Sequence, residues 1–256
     1  MKHWMTALAA GALSVGMAVG AQAQSALNEI LDSGVLKFGT TGDWNPMSVR
    51  DPASNSYKGY DIDVAMELAK DLGVEVEFVP TDWKTLVNGV VAGKYHMTGS
   101  ASISPPRMKV AGFSESYIAV EIMPWTTPEM AGKLNGYDSI NNADVKVATT
   151  LGTTFEGLVR AWFPDADIKV VEAPARGFQE VLAGRADVFI TSNIEGATLA
   201  AKHGVVQVPG TEPRSPSPIA MLLPQDDQVW INYVNNWVKV KQAKGFFDAT
   251  AEKWGL

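Results

Sequence analysis

Short apolar runs bounded by turn residues alternate along this chain with segments whose apolar residues recur at helical spacing, and few folds accommodate that alternation. Val35 to Thr40, Val74 to Val79, Val145 to Thr149, Ile168 to Val171, Val188 to Thr191 and Val205 to Val208 read as strands. Between them, Ala26 to Ser33 closed by Gly34, a segment ending at Leu72, Lys84 to Ala92 and Phe155 to Trp162 read as helices. Tyr57 to Asp63 introduces the helix that ends at Leu72, with Asp61 or Asp63 as its N-cap. This order predicts βα units on a largely parallel sheet. An internal echo predicts two of them. Val91-Ala92-Gly93-Lys94-Tyr95-His96-Met97 resembles Leu182-Ala183-Gly184-Arg185-Ala186-Asp187-Val188, and each copy runs into a hydroxyl-bearing loop, Thr98 to Ser104 and Thr191 to Asn193. The expectation is two βα lobes facing each other across a cleft. Tyr117 to Pro124 and Ile219 to Leu223 would be the crossing segments, and Gln225 to Leu256 would return as helices to the first lobe.

Of the 256 residues, 46% are hydrophobic and 19% charged, the balance of a folded chain able to bury a core. Lys2, the apolar run Ala7 to Gly20 and Ala21-Gln22-Ala23 read as a signal peptide with its cleavage site. The run is too short and too rich in Ala and Gly for a membrane span, which needs ~20 strongly apolar residues. A net charge of −7, without any cluster of Lys and Arg interleaved with aromatics, argues against nucleic-acid partners. No cysteine is present, so disulfides and thiolate chemistry are excluded. His3, His96 and His203 have no metal-ligand spacing, and no cofactor motif appears. His96 reads as a residue of the strand next to the pocket, and His203 as the end of a helix before Gly204.

Gly99-Ser100-Ala101-Ser102-Ile103-Ser104-Pro105-Pro106-Arg107 puts several hydroxyls and one guanidinium within reach of a small anion. If a strand ends near Met97, these residues lie at its carboxyl end, where open α/β sheets bind ligands. Arg107 offers a planar fork suited to a carboxylate. The alternative is an Arg-tipped surface loop with solvated serines. Thr41-Gly42-Asp43-Trp44-Asn45-Pro46 adds a hydroxyl and an indole beyond the first strand. A second anion signal is Thr150-Leu151-Gly152-Thr153-Thr154, between a strand and a helix N-terminus. Its alternative is an ordinary cap, with Thr153 or Thr154 satisfying the helix end.

From about Gly34 onward the chain resembles the family 3 periplasmic solute-binding proteins of polar amino-acid ABC transporters. Gly34-Val35-Leu36-Lys37, Thr41 to Pro46, Gly59-Tyr60-Asp61-Ile62-Asp63, Ser102 to Arg107 with Phe113-Ser114, and Gly152-Thr153-Thr154 carry the resemblance. It implies an α/β, two-lobed periplasmic binding protein fold of type II, each lobe a βα sheet domain, joined by two crossing hinge segments. The expected division is a signal peptide at 1–23, one lobe at 24–122 plus 222–256, and the other at 123–221. Arg107 and Ser102 would hold a ligand carboxylate, with Ser100 and Thr41 nearby. Trp44 and Trp83 would stack on the rest of the ligand, and Gly152, Thr153 and Thr154 would complete the grip. Ser192 stands where the family's amino-acid binders carry an Asp for the ligand ammonium, and Glu195, one helical step on, could substitute or remain a solvated helix charge.

Thr40-Thr41-Gly42-Asp43, Pro80-Thr81-Asp82-Trp83, Thr191 to Glu195 and Leu222-Leu223-Pro224 are also similar to the cyclohexadienyl dehydratases, exported enzymes on the same fold. In that branch the position matching Glu195 is the general acid for prephenate or arogenate. This chain departs from it, with Phe155 in place of an Asn and Ser192 in place of an Asp. Losing those positioning groups harms catalysis more than binding. The expected function is therefore periplasmic capture of a small carboxylate-bearing solute by cleft closure and delivery to an ABC permease in the inner membrane. Dehydratase activity through Glu195 is the alternative.

Overall fold

The computed structural model describes residues 24–256, so the signal peptide read at 1–23 lies outside the described residues. Ser25 opens the helix Ala26–Ser33 by accepting a hydrogen bond from Leu27 N, and Gly34 closes it at φ 71°. This left-handed turn suits glycine and feeds the chain into the strand Val35–Thr40. That strand pairs in parallel with Glu75–Pro80 on one side and Met97–Ser102 on the other. A second parallel set consists of Asp167–Val171, Lys146–Thr150 and Val188–Ser192, connected through the helices Thr154–Trp162 and Gly177–Leu182.

Two long strands, Ile118–Thr126 and Arg214–Leu223, join the lobes. They run antiparallel to each other, and one pairs with Val188–Ser192 while the other pairs with Met97–Ser102. One sheet therefore continues through both lobes with these strands at its centre. The segments expected to cross, Tyr117 to Pro124 and Ile219 to Leu223, overlap these strands, but Leu222 and Leu223 already pair with first-lobe strands. Their mutual register slips between Arg214 and Ser217, where Ser215 takes φ 51°.

The C-terminal helices Gln228–Ala243 and Phe246–Trp254 return to the first lobe. Trp237 Nε1 donates to Asp71 at 2.7 Å, and Trp254 Nε1 donates to Asp63 at 2.6 Å. Trp230 is fully buried, and its indole donates to the His96 carbonyl at 3.3 Å. Among the described residues no helix is long and apolar enough to cross a membrane.

Three local expectations need correction. Neither Asp61 nor Asp63 is an N-cap, because the helix Tyr60–Leu72 begins at Gly59. The carbonyls of Pro46 and Met47 accept from the Tyr60 and Asp61 amides at 3.0 and 2.9 Å, taking over two of the amides a side-chain cap would serve. Only glycine fits at 59, where φ is 138° and a Cβ would lie 2.3 Å from the Met47 carbonyl. The strand expected to end near Met97 starts there, so Thr98, Ser100 and Ser102 lie within it. His96 consequently sits at the strand's opposite end from the anion site, with Nδ1 accepting from Lys37 N at 3.0 Å.

Trp230→Ala should destabilise the first lobe by about 3–5 kcal/mol, the usual cost of emptying an aromatic core position. Urea unfolding followed by circular dichroism measures this, and a loss below about 1 kcal/mol would mean the C-terminal helices do not seal that core.

Candidate functional site

The strands of both lobes aim their carboxyl ends at one another. In the first lobe the ladder between Met97–Ser102 and Arg214–Leu223 is irregular, since Ser102 and Ala101 face Ile219 and Ala220 while Thr98 faces Leu222. The extra residue forms a bulge at Gly99–Ser100, with Ser100 at φ 50°. Such strain in a non-glycine residue persists only where its surroundings enforce it. Here the Tyr117 hydroxyl accepts from Ser100 N at 2.8 Å and donates to Asp61 Oδ1 at 3.1 Å. Burial pushes the Asp61 carboxyl up to about 7 despite that hydrogen bond.

Arg107 lies on the short helix Pro105–Met108 and is 8% exposed. Its guanidinium donates to the Ser102 carbonyl at 3.3 Å and across the cleft to the Gly152 carbonyl at 3.2 Å. No described carboxylate pairs with it, and burial alone brings its pKa down to about 10. The surface-loop alternative is thereby excluded. Gly152 has φ 81°, and a Cβ there would come within 2.5 Å of Lys84 backbone atoms, so the lobes meet through bare backbone. Thr153 precedes the helix Thr154–Trp162 without capping it, because its hydroxyl turns back to the Thr150 carbonyl at 2.7 Å. The helix's first amides therefore carry no side-chain cap, and the ordinary-cap alternative fails for Thr153.

Between the lobes is a cavity of about 20 Å³ lined by two cationic residues, Arg107 and Arg176, by Ser100 and Ser102, and by Phe155. Trp44, Trp83, Thr153 and Thr154 complete it. A groove of about 570 Å³ shares Arg107, Ser102 and Trp83 with it and includes Gly152. The two indoles meet edge to face at 5.8 Å. Trp83 faces both spaces and donates Nε1 to Asp43 at 3.0 Å, whereas Trp44 is 4% exposed with its Nε1 unpartnered. Thr41 lies one layer back, in a small space bounded by Asp61 and Ser100.

Ser192 and Glu195 do not line the cavity. Ser192 is fully buried and caps the helix Asn193–His203 by accepting from Glu195 N. Glu195 is 3% exposed, which removes the solvated-charge alternative. Its carboxylate accepts from Arg176 Nη2 at 2.9 and 3.1 Å and from the Thr191 hydroxyl. Burial raises the Glu195 pKa, and the Arg176 charge opposes this. Arg176 also reaches the first lobe, donating Nη1 to the Asp43 carbonyl at 2.7 Å and lying 3.0 Å from Asp43 Oδ2. Burial weakens the Arg176 charge, but Glu195 and Asp43 more than compensate and raise its pKa. Sequence reasoning missed Arg176 and Asp43 as a pair. The available signal was a lone Arg in Ala175-Arg176-Gly177, at the turn before a helix, opposite the Asp of Thr41 to Pro46.

Two sheet lobes, two crossing strands and a buried cation at their junction define the architecture of a solute-binding protein. The sequence profile of bacterial extracellular solute-binding proteins, family 3, matches residues 36–256, and the chain belongs to that family. It is 31% identical to cyclohexadienyl dehydratase of Pseudomonas aeruginosa, across 99% of this chain and 94% of that protein. It is 25% identical to the L-cystine-binding protein TcyJ of Escherichia coli K12, across 95% and 91% of the two chains. The crystal structure of an ancestral amino-acid-binding protein, AncCDT-1, described as a precursor of cyclohexadienyl dehydratase, is 37% identical with a TM-score of 0.83, covering 90% of this chain and 99% of that one.

The Asp61 carboxyl sets a pH dependence. Its pKa in the fold, about 7, lies above the ordinary 3.8, so the folded chain holds the proton more tightly than the unfolded one. The stability from this group is fully present below about pH 4 and is lost as pH rises towards 7. Asp61→Asn should flatten that slope and melt higher than the parent at pH 8. Parallel melting-temperature profiles from pH 4 to 9 would contradict this assignment.

Proposed function

We propose that the chain is exported to the periplasm, loses residues 1–23, and captures a small carboxylate-bearing solute for an inner-membrane ABC permease. The observation that carries this reading is Arg107, a buried guanidinium with two carbonyl partners and no acid, facing the cavity between the lobes. A buried charge without a counterion is costly, and a ligand carboxylate supplies the missing partner in fork geometry. Ser102, Ser100 and the first amides of Thr154–Trp162 surround the same point and add donors. Trp83 supplies an apolar wall for the rest of the solute. We place the lobe division at 24–122 plus 222–256 and 123–221.

A cavity of about 20 Å³ holds about one water molecule, so admitting an organic solute requires the lobes to part. The crossing strands Ile118–Thr126 and Arg214–Leu223 are the hinge, with the register slip at Ser215 as the point where backbone angles can change. Closing re-forms the contacts of Gly152 with the Trp83–Lys84 backbone and of Arg176 with Asp43. The permease then reads the closed form.

The relation to cyclohexadienyl dehydratase favours a second reading, with Glu195 as acid. Against it stands the engagement of the Glu195 carboxylate by Arg176 and Thr191, because an adjacent guanidinium favours the ionised form over the proton donor. The phenyl ring of Phe155 also occupies a cavity wall where a polar group could orient a leaving hydroxyl.

Purified chain, unfolded, dialysed and refolded, should gain thermal stability from a subset of a carboxylate panel. Arg107→Ala should weaken the binding found there by about 2–5 kcal/mol, and Arg107→Lys should restore little. Isothermal titration checks this, and unchanged affinity in the Ala variant would remove Arg107 from the site. Prephenate or arogenate should show no conversion above the uncatalysed rate. Turnover abolished by Glu195→Gln would instead establish the dehydratase.

A further inference from the structure

Two carboxylates from opposite lobes, Asp43 and Glu195, converge on one point, and Asp43 also accepts from the Trp83 indole. A pair of acids next to an indole is what a ligand ammonium or guanidinium would need. The chain fills that position with its own side chain. Arg176 Nη2 meets Glu195, Nη1 meets Asp43, and the guanidinium carbon lies 6.0 Å from the Trp83 ring centroid. Asp61, the next acid, is held by the Tyr117 hydroxyl. No carboxylate is among the residues lining the cavity, whose charged liners are Arg107 and Arg176.

We infer that Arg176 is a tethered cation standing in the place of a ligand's positive group, so that this site takes organic carboxylates lacking an ammonium or guanidinium. The inference rests on the reading of the cleft as a carboxylate site and narrows it. A ligand ammonium entering here would meet two guanidinium groups and no free acid. Like-charge contact and desolvation without a partner both reject it. Arg176 is already matched by Glu195 and Asp43, so an acid without an amino group finds its counterion in Arg107, among hydroxyls and apolar walls. Arg176 thus sets specificity without touching the carboxylate, and by joining Glu195 to Asp43 it also links the lobes in the closed form.

The test titrates the refolded chain with matched pairs differing only in the amino group: 3-phenylpropanoate and L-phenylalanine, hexanoate and L-norleucine, glutarate and L-glutamate. L-arginine and L-lysine are added as cations. The parent chain should bind the amine-free member of at least one pair about tenfold or more tightly than its amino acid, and neither cation at millimolar concentration. Arg176→Met, which frees Glu195 and Asp43, should shrink that preference and gain about tenfold or more in L-arginine affinity. Arg176→Lys keeps the charge and should keep the preference, and the parent-chain comparison requires no variant to fold. An amino acid bound through Arg107 as tightly as its amine-free partner would overturn the inference and leave the cleft reading standing. If no carboxylate of either kind binds, the cleft reading falls and this inference falls with it.

Discussion

A guanidinium sealed from water, with no carboxylate beside it among the described residues, is the constraint around which the site is built. Taking Arg107 out of solvent costs more than two backbone carbonyls return, and its lowered pKa expresses that imbalance. One of those carbonyls, that of Ser102, belongs to the same lobe and the other, that of Gly152, to the opposite one, so the guanidinium gains its second partner only when the lobes meet. On the proposed carboxylate reading, binding and closure are therefore coupled. An anion delivered to Arg107 favours the conformation that brings Gly152 to it, and a ligand shifts such an equilibrium only through this kind of differential contact.

The second guanidinium behaves differently because its surroundings differ. Arg176 is as deeply buried as Arg107 but has an acid from each lobe, and its charge is strengthened where that of Arg107 is weakened. On the proposed reading, one cation serves the ligand and the other serves the protein. Glu195 changes meaning in the same comparison. On sequence it resembles a general acid, and in the fold it is the inner half of an ion pair. Sequence likeness to the dehydratases does not by itself assign its chemistry, which is decided by the neighbour.

Much of the frame was legible in the sequence because local rules governed it. Gly34 and Gly204 end their helices in left-handed conformations where a glycine stop was expected, and the first strand covers the residues its apolar pattern indicated. The strand through Thr98, Gly99 and Ser100 is not legible locally, because Gly99 breaks the strand pattern and is held there by a central position in the sheet. Asp61 looked like a helix cap and is a buried partner of Tyr117, since the Pro46–Met47 backbone had already taken the cap's role. Arg107, Ser102 and Trp83 could be read because they sit in motifs. Arg176 could not, because Asp43 is 133 residues away and Glu195 is 19 away. Pairings at that separation are made by topology and leave no local pattern.

The central claim is that Arg107 receives the ligand's carboxylate as the two lobes close over it. A crystal structure of the chain grown with its tightest-binding carboxylate tests this most directly. The account predicts both carboxylate oxygens within hydrogen-bond distance of the Arg107 guanidinium, with Gly152 packed on the Trp83–Lys84 backbone. A ligand seated elsewhere, or one bound with Arg107 still touching only carbonyls, would contradict it.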